Sequence, residues 1–152
     1  MLYRISSVVL PAGGIATFGD IPQTYQHLKI HYWSTGTSTL NMYFNNDTTA
    51  GNYWYRNWEG GYLPFGVGGA NNANYVYQNS AGTPQCLESI ILDYSNSNKY
   101  KTTKTVYSGV SVTAANGTMD LYSHHWKNTG AITKLDIYTP NSSSRVDLYG
   151  IL

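Results

Sequence analysis

The chain has 152 residues, a net charge of +1 and only 11% charged side chains, against about 25% in an ordinary globular domain. A single domain of that length buries roughly 68–70% of the surface its unfolded chain exposes, so neither a disulfide nor a metal is required to hold it together. The nine Lys and Arg residues never adjoin one another, which leaves no basic patch for nucleic-acid phosphates or an anionic membrane, and neither partner is expected.

Asn, Ser, Thr, Gly and Tyr replace the missing charges, a composition that favours strands and turns over helix. Residues 2 to 10, "LYRISSVVL", form the first strand candidate. With one Arg and a Ser-interrupted apolar stretch, this segment falls short of a signal peptide and of the roughly 20 residues of a membrane span. The mature chain is therefore expected to start at Met1, in a cytoplasm. Residues 14 to 19 are the second candidate. In "YQHLKIHYW", Leu28, Ile30 and Tyr32 share one face, with His27, Lys29, His31 and Trp33 opposite. In "TLNMYF", Leu40, Met42 and Phe44 alternate with Asn41 and Tyr43, and the short "STGTS" between these two runs predicts that they pair as a hairpin.

"FNNDTTAGNYW" reads as another hairpin turn. Asn45, Asn46 and Asp47 tolerate left-handed backbone and bond their own main chain, and Gly51 adds a flexible point before a strand over 52 to 58. A calcium loop would need acids at alternate positions, and only Asp47 is present. The Gly-rich stretch over 59 to 74 is the longest irregular connection, and loops of that length tend to be functional or mobile. After a strand candidate at 73 to 78, "CLESIILDY" over 86 to 94 carries three consecutive aliphatic residues, Ile90, Ile91 and Leu92. These suggest a strand covered on both faces or one near the centre of a sandwich, with the lone Cys86 as a small core residue. Asp93 opens a polar turn, "DYSNSNKY". Further strands are predicted over 100 to 108, 117 to 126, 131 to 139 and 144 to 152. Ten or eleven short strands without a helical repeat or a linker indicate one all-β domain, a sandwich or barrel, spanning 1–152.

The residues offer little chemistry. The eight acids are spread singly, and no spacing assembles the pair of carboxyl groups that glycoside hydrolysis requires. No catalytic residue is assigned and the chain is read as a non-enzyme, although a glycan depolymerase would have to draw on Asp47, Asp93 or Asp120. His124 and His125 are adjacent, so a regular strand points them to opposite faces and they cannot share a metal; no metal or cofactor is expected. Along that strand Asp120, Tyr122, His124 and Trp126 occupy one face, and Met119, Leu121, Ser123 and His125 the other. No serine sits in a nucleophile elbow and no Gly-rich run has a phosphate-loop setting. What remains is an aromatic supply of fifteen Tyr, four Trp and three Phe, suited to sugar stacking and to protein interfaces alike. The ligand or interface candidates are Tyr53, Trp54, Tyr55, Trp58, Tyr62, Phe65 and Trp126. On an alternating strand Tyr53 and Tyr55 share one face and Trp54 and Trp58 the other, so one pair belongs to the core and one to the surface.

Five stretches, "IPQTYQHLKI", "YFNNDTTAGNYWY", "ILDYSNSNKYKTTKTVYS", "HHWKNTGAITKLDIYT" and the closing "VDLYGIL", together resemble a widespread group of tailed-bacteriophage virion proteins. The resemblance spans nearly the whole chain and implies an all-β, jelly-roll-like antiparallel sandwich of about 8 to 11 short strands whose last strand, "SRVDLYGIL", inserts into a sheet. By resemblance the chain is a capsid decoration or cement protein on the outer surface of the virion. Its implied partners are the major capsid protein and further copies of itself, with a homotrimer favoured. Related sequences also end tail fibres, which gives the alternative: a carbohydrate-binding receptor module that takes a host glycan. Receptor modules usually follow a fibrous shaft, and a chain that begins with its own Met favours decoration. Ligand specificity would sit in the ring-rich "NYWYRNW" and the Gly-rich segment, where this sequence departs from the group.

Overall fold

Period-two alternation runs through almost every strand of this chain, and a chain of half-apolar strands can bury its apolar halves only by stacking sheets. The structure is a computed structural model describing residues 1–11, 13–34, 40–59, 70–71, 74–76, 85–110, 117–139 and 143–152. Twelve strands occur among them: β1 (Leu2–Leu10), β2 (Gly14–Phe18), β3 (His27–Ser34), β4 (Leu40–Phe44), β5 (Tyr53–Glu59), β6 (Ala70–Asn71), β7 (Asn74–Val76), β8 (Gln85–Leu92), β9 (Lys101–Val110), β10 (Gly117–Trp126), β11 (Leu135–Thr139) and β12 (Ser144–Ile151). The excess over the expected number is the two-residue β6, inside the Gly-rich stretch that gave no strand signal.

The strands form an eight-stranded sheet of order β1-β12-β3-β8-β9-β10-β5-β6 and a four-stranded sheet of order β2-β11-β4-β7. Every pairing is antiparallel. The order is nested from the chain ends inward: β1 pairs with β12 in the large sheet, β2 with β11 in the small one, β3 with β8 in the large and β4 with β7 in the small. The strands inserted into this scheme, β5, β6, β9 and β10, extend the large sheet beyond β8. Strand β12 does insert between β1 and β3.

The inward faces meet in one hydrophobic cluster. Leu28, Ile30 and Tyr32 of β3, Leu87 and Ile91 of β8, and Val146 and Leu148 of β12 come from the large sheet. Leu40, Met42 and Phe44 of β4, with Leu135 and Ile137 of β11, come from the small one. Each fully buried aliphatic or Phe side chain contributes about 1.5–3 kcal/mol by leaving water. Past β8 the inner face mixes rings with polar groups: Tyr107 of β9 and Tyr122 and Trp126 of β10 are buried beside Thr103 and Thr105 of β9 and His124 of β10, and the Ser89 and Thr105 hydroxyls lie 2.7 Å apart. Lys101, also buried, donates from Nζ to the carbonyl oxygens of Lys99 and Thr129, both at 2.9 Å, and burial lowers its pKa.

Two expected hairpins are absent. Strands β3 and β4 belong to different sheets, as do β4 and β5. Alternation identifies which residues face inward, but an inward face is equally well buried against an opposing sheet, and here these consecutive strands lie in opposite sheets. The 42–58 region is therefore an inter-sheet corner. Asn45 and Asn46 take the left-handed backbone expected of them, with φ of 52° and 59°. The Asn45 side chain then clamps the segment before β11: its Oδ1 accepts from the backbone N–H of Thr133 at 2.9 Å and of Lys134 at 3.0 Å, and its Nδ2 donates to the Ala131 carbonyl at 2.8 Å.

Asp47 ties the corner together. Its Oδ2 accepts from the Trp126 indole Nε1 at 2.7 Å and from Asn52 Nδ2 at 2.8 Å, and its Oδ1 from the Thr49 backbone N–H at 2.9 Å. Beneath it, the Tyr53 hydroxyl donates to the Asp47 carbonyl at 2.9 Å and accepts from the Phe44 N–H at 3.0 Å, and the Tyr53 and Trp126 rings stack 6.4 Å apart. Partial burial works to raise the Asp47 pKa, but the hydrogen bonds from Trp126, Thr49 and Asn52 outweigh it and hold the group at about 2 rather than 3.8.

Asp47→Ala strands the Trp126 indole N–H and should destabilise the fold by about 1–3 kcal/mol, measured by chemical denaturation. Because the folded pKa lies below the unfolded one, the carboxylate's stabilisation is complete above about pH 4 and is lost as pH falls through about 2. Asp47→Asn should therefore be less stable at neutral pH yet lose less stability over that acid window, and parallel acid curves for the two proteins would contradict the assignment. At Gly150 an added Cβ would lie 2.3 Å from the Tyr25 ring. Gly150→Ala should cost about 1–3 kcal/mol, read as a melting temperature several degrees lower.

Candidate functional site

The corner decides which rings reach solvent. Tyr53 and Trp126 are 0% and 1% exposed, respectively, so both belong to the core and neither can stack a ligand. Tyr55 is half-buried, packed against the core and 6.3 Å from the His124 ring. Trp54 and Trp58, on the other face of β5, are exposed at 42% and 43%. Lys127 places its ammonium 4.3 Å from the Trp54 ring centroid, and the Trp54 Nε1 donates to the Gly51 carbonyl at 3.0 Å, so one face of that indole is already covered. Tyr62 and Phe65 lie outside the described residues.

The solvent side of the large sheet carries more apolar surface than the sequence reading assigned to it. Trp33 is 49% exposed, Val106 43%, Met119 51% and Leu121 40%, and the pairing places them near one another. One cross-strand row runs Val9, Arg145, Trp33, Cys86, Ser108, Met119; the next runs Ser7, Asp147, His31, Glu88, Val106, Leu121, Trp58. Cys86 is exposed on this face rather than buried, because strict alternation along β8 turns Leu87 inward. For the same reason Ile90 and Leu92 are half-buried on the solvent side, so β8 is central in its sheet without being covered on both faces.

The face has two unlike ends. Around Trp58 a hollow of about 350 Å³ is walled by Val106 and Leu121, with Arg56 and Lys104 as its charged members. Around Trp33 two hollows adjoin, of about 510 and 480 Å³, sharing Trp33 and Arg145. The larger holds a compensated charge network. Arg145 grips Asp147 through Nε and Nη2, each at 3.0 Å, while Glu88 takes the Lys29 ammonium at 2.9 Å and His31 Nε2 at 3.2 Å. Glu88 is held below the ordinary carboxylate range chiefly by the Lys29 hydrogen bond. Asp147 is lowered too: burial opposes, but hydrogen bonds from Ser7 and Arg145 prevail. Both are acceptors at neutral pH, and neither has the raised pKa of a general acid.

Two further acids are engaged structurally. Asp93 is paired with Lys99 and lies 3.6 Å from His27, and Asp136 accepts from Thr17 at 2.6 Å and pairs with Lys134 at 3.0 Å. Among the described residues no three His, Cys, Asp or Glu side chains gather as a metal site. The chain matches no protein family, no curated protein and no solved structure with which it was compared.

The rings of "NYWYRNW" are neighbours in sequence and conspicuous there, whereas Trp33, Val106, Met119 and Leu121 are scattered along the chain. The signal that marks them is parity: each is a large apolar residue at a strand position opposite the core-facing ones. Cys86 checks this orientation in solution. A maleimide should label it stoichiometrically in the native protein within the time that labels a free thiol, whereas protection until denaturant is added would place β8 in the opposite register.

Proposed function

We propose that the chain is a bacteriophage capsid decoration protein, a jelly roll that seats on the outside of the head and bridges neighbouring subunits of the major capsid protein. The observation that carries this reading is the apolar solvent face formed by Val106, Met119, Leu121 and Trp58. Contiguous exposed apolar surface on a water-soluble sheet marks a protein-docking site. Arg56 and Lys104 at its rim suit a partner that offers acidic side chains around an apolar contact.

Three further points support it. The nested pairing of β1 with β12, β2 with β11, β3 with β8 and β4 with β7 is what two interlocked Greek keys require, the arrangement of a jelly roll. Asp47, Glu88, Asp93 and Asp147 are committed to hydrogen bonds or ion pairs that lower their pKa, as a scaffold would have them. The five stretches that resemble virion proteins fall mainly on strands and corners of this scaffold, including the corner at Asn45 to Asp47. As a homotrimer at a three-fold position the protein would engage several capsid subunits at once, and such linkage raises avidity over single-contact affinity by about 10²–10⁴.

Purified protein added to undecorated heads should sediment with them and raise their melting temperature. Leu121→Glu places a charge in the apolar contact and should weaken head binding at least tenfold while leaving the protein's own melting temperature within a few degrees. Heads that remain bare at micromolar protein would refute the proposal.

A further inference from the structure

The Trp33 end of the face has a chemistry that capsid docking does not use. Trp33 stands between two hollows, half-exposed, on the row that also carries Arg145 and Cys86. One step along the strands, about 7 Å away, lies the polar row of Asp147, His31 and Glu88. An apolar ring face thus adjoins two ionised carboxylates, which only accept hydrogen bonds, and a guanidinium, which only donates them. Asp147 fixes two of the Arg145 nitrogens, and the Arg145 side chain is itself half-exposed, leaving donor capacity toward the hollow.

Each charge in the hollow has its counter-charge on the sheet: Arg145 with Asp147, and Lys29 with Glu88 beside His31. An ionic ligand would have to break one of these pairs, and an apolar side chain would cover them without replacing their lost water. A ligand that presents a flat C–H face to an indole and hydroxyl groups around its edge meets both requirements, since hydroxyls donate to carboxylates and accept from guanidinium. Hollows of this size fall in the range of small-ligand sites, and because the two adjoin across Trp33 the ligand can run on past the ring. We infer that the Trp33 groove binds a neutral oligosaccharide, with one pyranose stacked on Trp33 and its hydroxyls bonded to Asp147, Arg145 and Glu88. This site lies on β3, β8 and β12 and reaches β9 at Val106 and Ser108, away from the β5 rings that sequence alone suggested.

The test uses the intact chain and hexasaccharides of glucose in α-1,4 and β-1,4 linkage, of mannose and of N-acetylglucosamine, with a galacturonate hexamer as the anionic probe. The indole N–H signal of Trp33 is assigned in proton–nitrogen correlation spectra as the one missing in Trp33→Phe. At least one neutral hexasaccharide should move it saturably. Trp33→Ala should weaken that binding about tenfold or more, Asp147→Asn should weaken it several-fold, and Trp54→Ala should leave it within about twofold. Melting curves confirm that each variant is folded, and Trp33→Phe, which keeps a ring, should retain part of the affinity. The inference is overturned if no neutral sugar moves the signal at about 10 mM, if the galacturonate binds tighter than every neutral sugar, or if Trp33→Ala binds normally. A signal moved by purified capsid protein and by no sugar would assign the groove to protein docking and also overturn it.

Discussion

A single carboxylate, that of Asp47, governs how the two sheets are joined where the chain first leaves the small sheet for the extended part of the large one. It accepts from the last residue of β10, Trp126, and from Asn52 just before β5, while its own carbonyl receives the Tyr53 hydroxyl. The result fixes Trp126 opposite Tyr53 as the first pair of the β5–β10 ladder, with Phe44 of β4 packed edge-on against Trp126 at 5.4 Å. A one-residue slip would exchange the faces of every side chain on β5, turning Trp54 and Trp58 inward and Tyr53 out. The exposed face therefore depends on an inter-sheet corner whose carboxylate is only partly buried.

Much of the fold was legible because the residues that fill the core repeat at period two. Strand positions came from that repeat, and so did the inward set Leu28, Ile30, Tyr32, Leu40, Met42 and Phe44. Left-handed turns at Asn45 and Asn46 followed from side chains that tolerate positive φ. Pairing was not legible. Alternation states which way a side chain points and is silent about whether its strand neighbours the next one in sequence or crosses to the facing sheet. In this chain the nested order sends β3 to β8 and β12, and β4 to β7 and β11. Cys86 shows the same limit at one residue: the burial preference of free cysteine argued for the core, but the parity of Leu87 and Ile91, both aliphatic and both buried, outweighs what one thiol gains.

The site was less legible than the fold, for a related reason. A cluster of rings in sequence alternates across the sheet, so half of "YWYRNW" was bound to be interior, whereas Trp33, Val106 and Leu121 lie far apart in sequence and meet only through the ladders β3–β8, β8–β9 and β9–β10. Central strands can carry such apolar residues at modest risk. Their backbone groups are paired on both sides, so the face offers side-chain contact without an open edge for another chain to extend. Edge strand β1 is interrupted by a bulge between Arg4 and Ser6, which disturbs the regular hydrogen-bonding row that strand addition needs.

The two ends of the face also differ in what covering them would cost. At the Trp58 end the neighbours are Val106 and Leu121, and burying them under a protein releases water from apolar surface, with Arg56, Lys104 and the Ser123 hydroxyl to satisfy at the rim. At the Trp33 end the same covering would enclose Asp147, Arg145, Glu88 and His31, and each polar group left without a partner costs about 1–3 kcal/mol. A hydroxyl-rich ligand inverts the ranking, gaining at Trp33 and finding few partners between Val106 and Leu121. Trp33 and Trp58 are separated by four inter-strand steps, roughly 19 Å, and Val106 of β9 lies between them and borders both hollows. Because Val106 borders both hollows, the two proposed contacts meet along β9: the apolar end supplies attachment, and a ligand at the polar end packs against its margin.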